Sequence, residues 1–152
     1  MTGVQTCALP ILAISEVPLD MIQLHGDETP DFCNQFDVAI LKALRIKNEA
    51  SLSVMDQYDV AVFLLDTFSN DQYGGTGETF DWSVLNRKFK TPIILSGGLN
   101  SENILDAIDA VNPSAVDVNS GVESSPGKKD FNKLKLLFKN LNKTQSTGFQ
   151  FG

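Results

Sequence analysis

Residues 92–121 read PIILSGGLNSENILDAIDAVNPSAVDVNSG, and the class of fold is legible in them. Pro92-Ile-Ile-Leu-Ser96 is a continuous apolar run halted by Gly97 and Gly98. Asn100 or Ser101 can cap a helix expected over residues 102–111, because a short polar side chain accepts from the unpaired N–H groups of a first turn. Ala115-Val-Asp-Val-Asn119 is the next strand, and it too ends in a glycine turn, Ser120-Gly121. Strands that are apolar throughout, joined through helices, predict parallel pairing with both faces covered.

The same alternation extends outward. Met21-Ile-Gln-Leu-His25-Gly26 reads as a first strand. A helix is expected over residues 30–36, with Thr29 as cap and Pro30 at the first helical position. Val38-Ala-Ile-Leu-Lys-Ala-Leu44 is a second strand, followed by a weak helix over residues 49–57. Val60-Ala-Val-Phe-Leu-Leu-Asp66 is a third strand, the most apolar, and a glycine-rich loop over residues 69–79 follows it. A helix over residues 82–88 leads into the quoted stretch. Asp130 caps a last helix over residues 131–140, whose Phe131, Leu134, Leu137 and Phe138 are expected on one face. Five strand–helix units give an α/β class. Residues 141–152 read as a polar C-terminal tail.

Residues 1–11, MTGVQTCALPI, fit none of this. They resemble the translation of a widely used short-read sequencing adapter in one frame, so they are expected to be non-native; an unusual natural N-terminus is the alternative.

Length and charge narrow the function. At 152 residues, the chain is one domain on size grounds. Hydrophobic content of 42% and charged content of 20% fit a globular protein and argue against wholesale disorder. A net charge of −7 argues against a broad footprint for nucleic acid or an anionic membrane. A small phosphorylated ligand remains compatible, since a few backbone amides hold phosphate without net positive charge. Two cysteines, Cys7 and Cys33, make neither a disulfide framework nor a metal cluster, so a reducing, cytoplasmic setting is expected. No apolar run approaches the roughly 20 residues of a membrane span. No Lys or Arg precedes Lys42, so no basic signal-peptide start is read.

Ligands of such folds bind at the carboxyl ends of the strands, where the unusual residues collect. Gly97-Gly98 and Ser120-Gly121 look like two adjacent phosphate cradles, with the helix beginning near Asn100 contributing free N–H groups. Asp66, closing an apolar run, is a candidate general acid; a turn aspartate is the alternative reading. His25 is a candidate acid, base or donor, or a satisfied structural histidine, and Asp117 either points into the pocket or holds structure. Cys33 reads as a buried small residue, Lys128-Lys129 as a solvated loop and Trp82 as a packing residue.

Five motifs together are specific. Ile22-Gln-Leu-His-Gly-Asp-Glu28, Asp66-Thr67 with Gly74-Gly-Thr-Gly-Glu-Thr-Phe-Asp-Trp82, Leu95-Ser-Gly-Gly-Leu-Asn-Ser-Glu-Asn103, Val116-Asp-Val-Asn-Ser-Gly-Val-Glu123 and Pro126-Gly-Lys-Lys-Asp130 resemble phosphoribosylanthranilate isomerase, an enzyme of tryptophan biosynthesis. The resemblance spans about residues 12–140 in the family's order. It implies a β/α barrel that needs no metal or organic cofactor. The reaction it implies is the Amadori rearrangement of N-(5-phosphoribosyl)anthranilate to 1-(2-carboxyphenylamino)-1-deoxyribulose 5-phosphate. An acid protonates the ribose ring oxygen and opens the ring to a Schiff base. A base then removes the C2 proton, and the enolamine collapses to the ketone. By resemblance Asp66 is the acid, Gly97, Gly98, Ser120 and Gly121 hold the phosphate, and His25 and Asp117 line the pocket.

The family's base is a cysteine in a Lys-Ile-Cys-Gly motif, and no stretch matches it. Because a closed barrel needs at least about 200 residues, the expectation is a partial (β/α)8 TIM barrel. It would hold about the last five of eight units over residues 12–140, lack the base strand and be inactive alone. Its uncovered strand edges are expected to favour self-association, with the oligomeric state left open. Two alternatives stand: another phosphate-binding barrel, such as an indole-glycerol-phosphate synthase relative, and a non-catalytic phosphate-binding module. The GGTGETFDW stretch after Asp66 speaks against the former.

Overall fold

The computed structural model describes residues 14, 16–67 and 81–144. Residues 1–13 and the glycine-rich loop lie outside them, as do residues 145–152. Five strands form one parallel sheet: β1 (Met21–Leu24), β2 (Ala39–Arg45), β3 (Val62–Asp66), β4 (Ile93–Ser96) and β5 (Ala115–Val116), in the order β1-β2-β3-β4-β5. Sequence order equals spatial order, as when each strand returns through a crossover on the same face. The fold is α/β with a parallel sheet, as the apolar runs predict.

Side chains alternate between the two faces with a period of two. Phe63, Leu65, Ile93 and Leu95 share one face and join the core with Ile104, Ala107, Ile108 and Val111, all on the helix that follows β4. This outer face is closed: Leu65, Leu95 and Ile104 are each 0% exposed. The other set, Leu41, Ala43, Val62, Leu64 and Ile94, lines the inner face, where Leu64 and Ala43 are buried and the rest half-buried.

The helices before residue 112 are shorter than the sequence predicts, and tightened backbone turns and side-chain competition for backbone groups accompany the change. Helix α1 (Pro30–Cys33) has Thr29 as its cap, accepting from the Phe32 N–H, but stops at Cys33 rather than residue 36. Beyond it the N–H groups of Gln35 and Phe36 donate to the carbonyls of Phe32 and Cys33, tightening the chain out of α geometry. The weak helix resolves into two 3₁₀ turns, Glu49–Leu52 and Met55–Gln57. Asn48 and Ser51 cap each other reciprocally, and Ser53 Oγ donates to the Ala50 carbonyl at 2.7 Å. Residues 82–88 give only the 3₁₀ turn Trp82–Leu85. Helix α2 (Ile104–Val111) starts two residues later than expected and ends at Asn112, which is left-handed at φ 49° ahead of Pro113.

Helix α3 (Phe131–Thr144) corrects the expected boundaries at both its end and its face. Asp130 caps it, its Oδ1 accepting from the N–H groups of Asn132 and Lys133. The helix runs past Asn140, and Leu141 is buried, so the polar tail does not begin at residue 141. The buried stripe is Leu137 and Leu141 with Leu134 partly covered; Phe131 is 76% and Phe138 58% exposed. Both phenylalanines flank that stripe, one shoulder round the helix from it. An antiparallel hairpin, β6 (Glu123–Ser125) with β7 (Lys128–Lys129), turns at Gly127 and was not foreseen.

Candidate active site

On the inner face of the sheet, polar side chains gather at the carboxyl rim. Arg45 stands opposite Asp66 in register, and Asp66 stands opposite Ser96. Alternation places all three on the inner face with Asp117, whose Oδ2 accepts from Ser96 Oγ at 3.3 Å. Asp117 is drawn into register by its N–H, which donates to the Leu95 carbonyl at 2.8 Å. A cleft of about 260 Å3 lies over this rim, lined by His25, Asp66, Ser96, Gly97, Gly98, Leu99, Asp117, Asn119 and Ser120. Seven candidate residues were singled out from the sequence, and six of them converge here.

The seventh, Gly121, sits behind the cleft. A Cβ there would lie 1.9 Å from the Leu99 carbonyl oxygen and 2.9 Å from Asn100 Cβ. Glycine at this position lets the loop after β5 press against the loop after β4. Gly97 and Gly98 serve differently: their φ values of 94° and 64° are in the region that glycine alone enters readily. The start of α2 also departs from expectation. Asn100 Oδ1 accepts from the N–H groups of Glu102 and Asn103, and Asn103 Oδ1 accepts from the Asn100 N–H at 2.8 Å. Those three amides are therefore engaged within the turn, and an anion in the cleft would meet the backbone that precedes them.

Two residues to which the sequence reading gave no site role hold this rim together. Thr67 is 3% exposed; its N–H and Oγ1 both donate to the Ser96 carbonyl, at 3.1 and 2.9 Å, tying the end of β3 to the exit of β4. Lys129 corrects the solvated-loop reading. Its Nζ donates to the Asn119 carbonyl at 2.8 Å and to Asn119 Oδ1 at 2.6 Å, and pairs with Glu123 Oε1 at 2.9 Å. The Lys129 hydrogen bond, with a second from the Gly127 N–H, holds the Glu123 carboxyl below its ordinary range. The hairpin thus braces the loop after β5 from outside. Thr67 could have been flagged by its place after Asp66 at a strand end; the partners of Lys129 are ten and six residues away and leave no local signal.

His25 is exposed at the opposite side of the rim, with Gln23 Nε2 3.2 Å from its Nδ1. It also lines a neighbouring hollow of about 400 Å3 with Gly26, Lys42, Arg45 and Tyr58. Cys33 is 2% exposed and packs with Leu24 and Ile40 on the outer face, where burial pushes its thiol pKa up. Among the described residues no thiol lines the cleft, and Cys7 lies outside them. A larger hollow of about 620 Å3 sits at the amino end of β4, against Arg87, Phe89, Asp109 and Asn112. Size alone would favour it, but the rim cleft is the one where acids, a histidine and two glycine turns converge, at the end of a parallel sheet where ligands bind. Among the described residues there is no metal-binding cluster and no helix long and apolar enough to cross a membrane.

Residues 11–140 match the family model described as PRAI: N-(5'phosphoribosyl)anthranilate (PRA) isomerase. The chain belongs to this family. The N-(5'-phosphoribosyl)anthranilate isomerase of Geobacter metallireducens is 45% identical over 141 residues, covering 87% of this chain and 70% of the relative. That of Geotalea uraniireducens is 49% identical over 123 residues, covering 80% and 60%. Among solved structures, phosphoribosyl anthranilate isomerase from Thermotoga maritima superposes with a TM-score of 0.74 at 39% identity, over 93% of this chain and 71% of that one. A second structure of the family, in complex with reduced 1-(o-carboxyphenylamino)-1-deoxyribulose 5-phosphate, gives 0.68 at 36% identity, over 88% and 64%. This member of the phosphoribosylanthranilate isomerase family therefore spans 60 to 70% of the length of these two sequence relatives.

Proposed function

We propose that this chain carries the acid and phosphate-binding part of a phosphoribosylanthranilate isomerase. Residues 12–140 would supply about the last five units of a (β/α)8 barrel, after an adapter-like segment at residues 1–11. The observation that carries the reading is the convergence of Asp66 with both glycine turns on one rim. A substrate phosphate seated against Gly97, Gly98 and Ser120 would be gripped by both loops at once, with Gly121 keeping them in contact. Asp66, in register between Arg45 and Ser96, would then protonate the ribose ring oxygen, and the ring would open to the Schiff base. His25 and Asp117 would flank the opened sugar, and the site of action would be the cytoplasm.

Removal of the C2 proton needs a base, and no thiol among the described residues lines the cleft to act as one. Cys33 faces away from the cleft, and burial pushes its thiol pKa up, away from the thiolate. The chain alone is therefore expected to be inactive toward N-(5-phosphoribosyl)anthranilate. Chromatography of the substrate and ketose product tests this. Turnover is expected only on mixing with a polypeptide carrying the first three units of a family relative. Turnover by the unmixed chain would overturn the missing-base reading. A mixture that assembles but never reacts would overturn the isomerase reading.

A further inference from the structure

Ile40, Lys42 and Leu44 alternate along the outer face of β2, with Leu24 beside Lys42 in β1 and Phe63 beside it in β3. On this apolar face Lys42 is 1% exposed. A buried ammonium persists only where its donors are satisfied. All three are: Nζ donates to the Gly26 carbonyl at 2.8 Å, to the Ala43 carbonyl at 3.0 Å and to Glu28 Oε2 at 3.0 Å. The Glu28 carboxylate in turn accepts from the Gly26 N–H, at 2.9 Å to Oε2. The Tyr58 hydroxyl donates to the Glu28 carbonyl at 2.8 Å.

Gly26 is thus gripped at its carbonyl by Lys42 and at its N–H by Glu28, and those two partners are bonded to each other. The grip is close: a Cβ on Gly26 would lie 2.9 Å from Glu28 Oε1. The residue so fixed immediately follows His25, on a loop with no other tie of this kind to β2 among the described residues. Lys42 itself is on the wrong face to reach the cleft, so any influence it has there passes through the loop.

We propose that Lys42 is a positioning residue, which through Glu28 and Gly26 sets the place and orientation of His25 at the rim of the cleft. The inference rests on the reading of that cleft as the substrate site.

His25 is the sole histidine in the chain, so its imidazole signals are unambiguous. The test compares the full 152-residue chain with its Lys42→Met variant by imidazole nitrogen correlation spectra at about pH 8, where an ordinary imidazole is neutral. Amide exchange and a titration with inorganic phosphate complete it. Wild type is expected to show one sharp Nδ1/Nε2 pair from a single tautomer. In Lys42→Met the pair should move toward tautomer-averaged positions, and Gly26 amide exchange should speed by about tenfold or more. The Leu64 and Leu65 amides and the phosphate response of Gly98 and Ser120 should not change. A merely structural lysine would slacken the core amides without altering the tautomer, and that outcome, like an unchanged imidazole pair, overturns the proposal. If Lys42→Met does not fold, Glu28→Gln removes the paired charge at constant size, and the same two results decide. A wild-type chain whose Gly98 and Ser120 amides ignore phosphate would defeat the site reading instead, leaving the His25 spectra to judge Lys42 on their own.

Discussion

Gly121→Ala should damage phosphate binding although Gly121 does not itself line the cleft. The added Cβ would sit 1.9 Å from the Leu99 carbonyl oxygen, whereas real Cβ contacts essentially never fall below 3.0 Å. The gap must open by about 1.1 Å, and the Leu99 carbonyl it opens against is backbone, so no rotamer can absorb it. Overpacking of this kind costs about 1–3 kcal/mol. The functional loss has a separate origin. A backbone N–H···O bond near 2.9 Å that lengthens by about 1 Å leaves the range in which it counts as a bond. A hydrogen bond to a charged group contributes about 1.5–3 kcal/mol, so losing one such bond weakens phosphate binding by about ten- to 150-fold. Urea unfolding reports the first quantity, and a phosphate titration followed at the Gly98 and Ser120 amides reports the second. An alanine variant with the wild-type urea midpoint and the wild-type phosphate affinity would refute the claim that the two loops form one cradle through this contact.

Three further outcomes are expected. In a mixture that restores activity, Asp66→Asn should lower kcat by about 100- to 10,000-fold with a small change in KM, the signature of a lost general acid; near-normal turnover rejects the role. The Glu28 carboxyl feels burial first, which would raise it, but hydrogen bonds from its own N–H, Lys42 and Gly26, together with the Lys42 charge, hold it below 4.5. The folded form then binds fewer protons than the unfolded one, so the stabilisation is full above 4.5 and fades as pH falls through the lowered value. The stability gap between wild type and Glu28→Gln should accordingly shrink on acidification, and a pH-independent gap contradicts it. Finally, β1 ends the sheet with Met21 43% exposed, so the chain should self-associate and Met21→Lys should shift it toward monomer in sedimentation experiments. Strictly monomeric wild type at the same concentration would remove the argument.

Strands were the most readable part of the chain. Val62–Asp66 announces itself by an apolar run with a charged stop, because a strand covered on both faces needs nothing else. Helix lengths were not readable from periodicity, because the deciding bonds belong to polar side chains at the ends. The exchange between Asn100 and Asn103 moves the start of α2, and that between Asn48 and Ser51 breaks the second helix into turns. Phe131 and Phe138 share the period of the leucines on α3, but the final stripe is fixed by which shoulder meets Leu141 and α2, a tertiary choice. In the site, Asp66, His25 and the glycine turns stood out by position at strand ends. Lys42 did not, since a lysine inside AILKAL looks like an ordinary solvent-facing interruption until Glu28, fourteen residues earlier, folds over it.

The unequal sealing of the two sheet faces has a consequence for how such a chain tolerates genetic change. Phe63 and Leu65 are locked beneath helices, whereas Val62 and Asp66 look toward the inner side. Along β3, the codons for folding therefore stand together at Phe63, Leu64 and Leu65, all buried, and the codon for chemistry follows them at Asp66. A saturation mutagenesis map scored for abundance should show a continuous block at these three positions. The same map scored for ligand response should light up Asp66 at its carboxyl end, a position that the abundance map leaves dark.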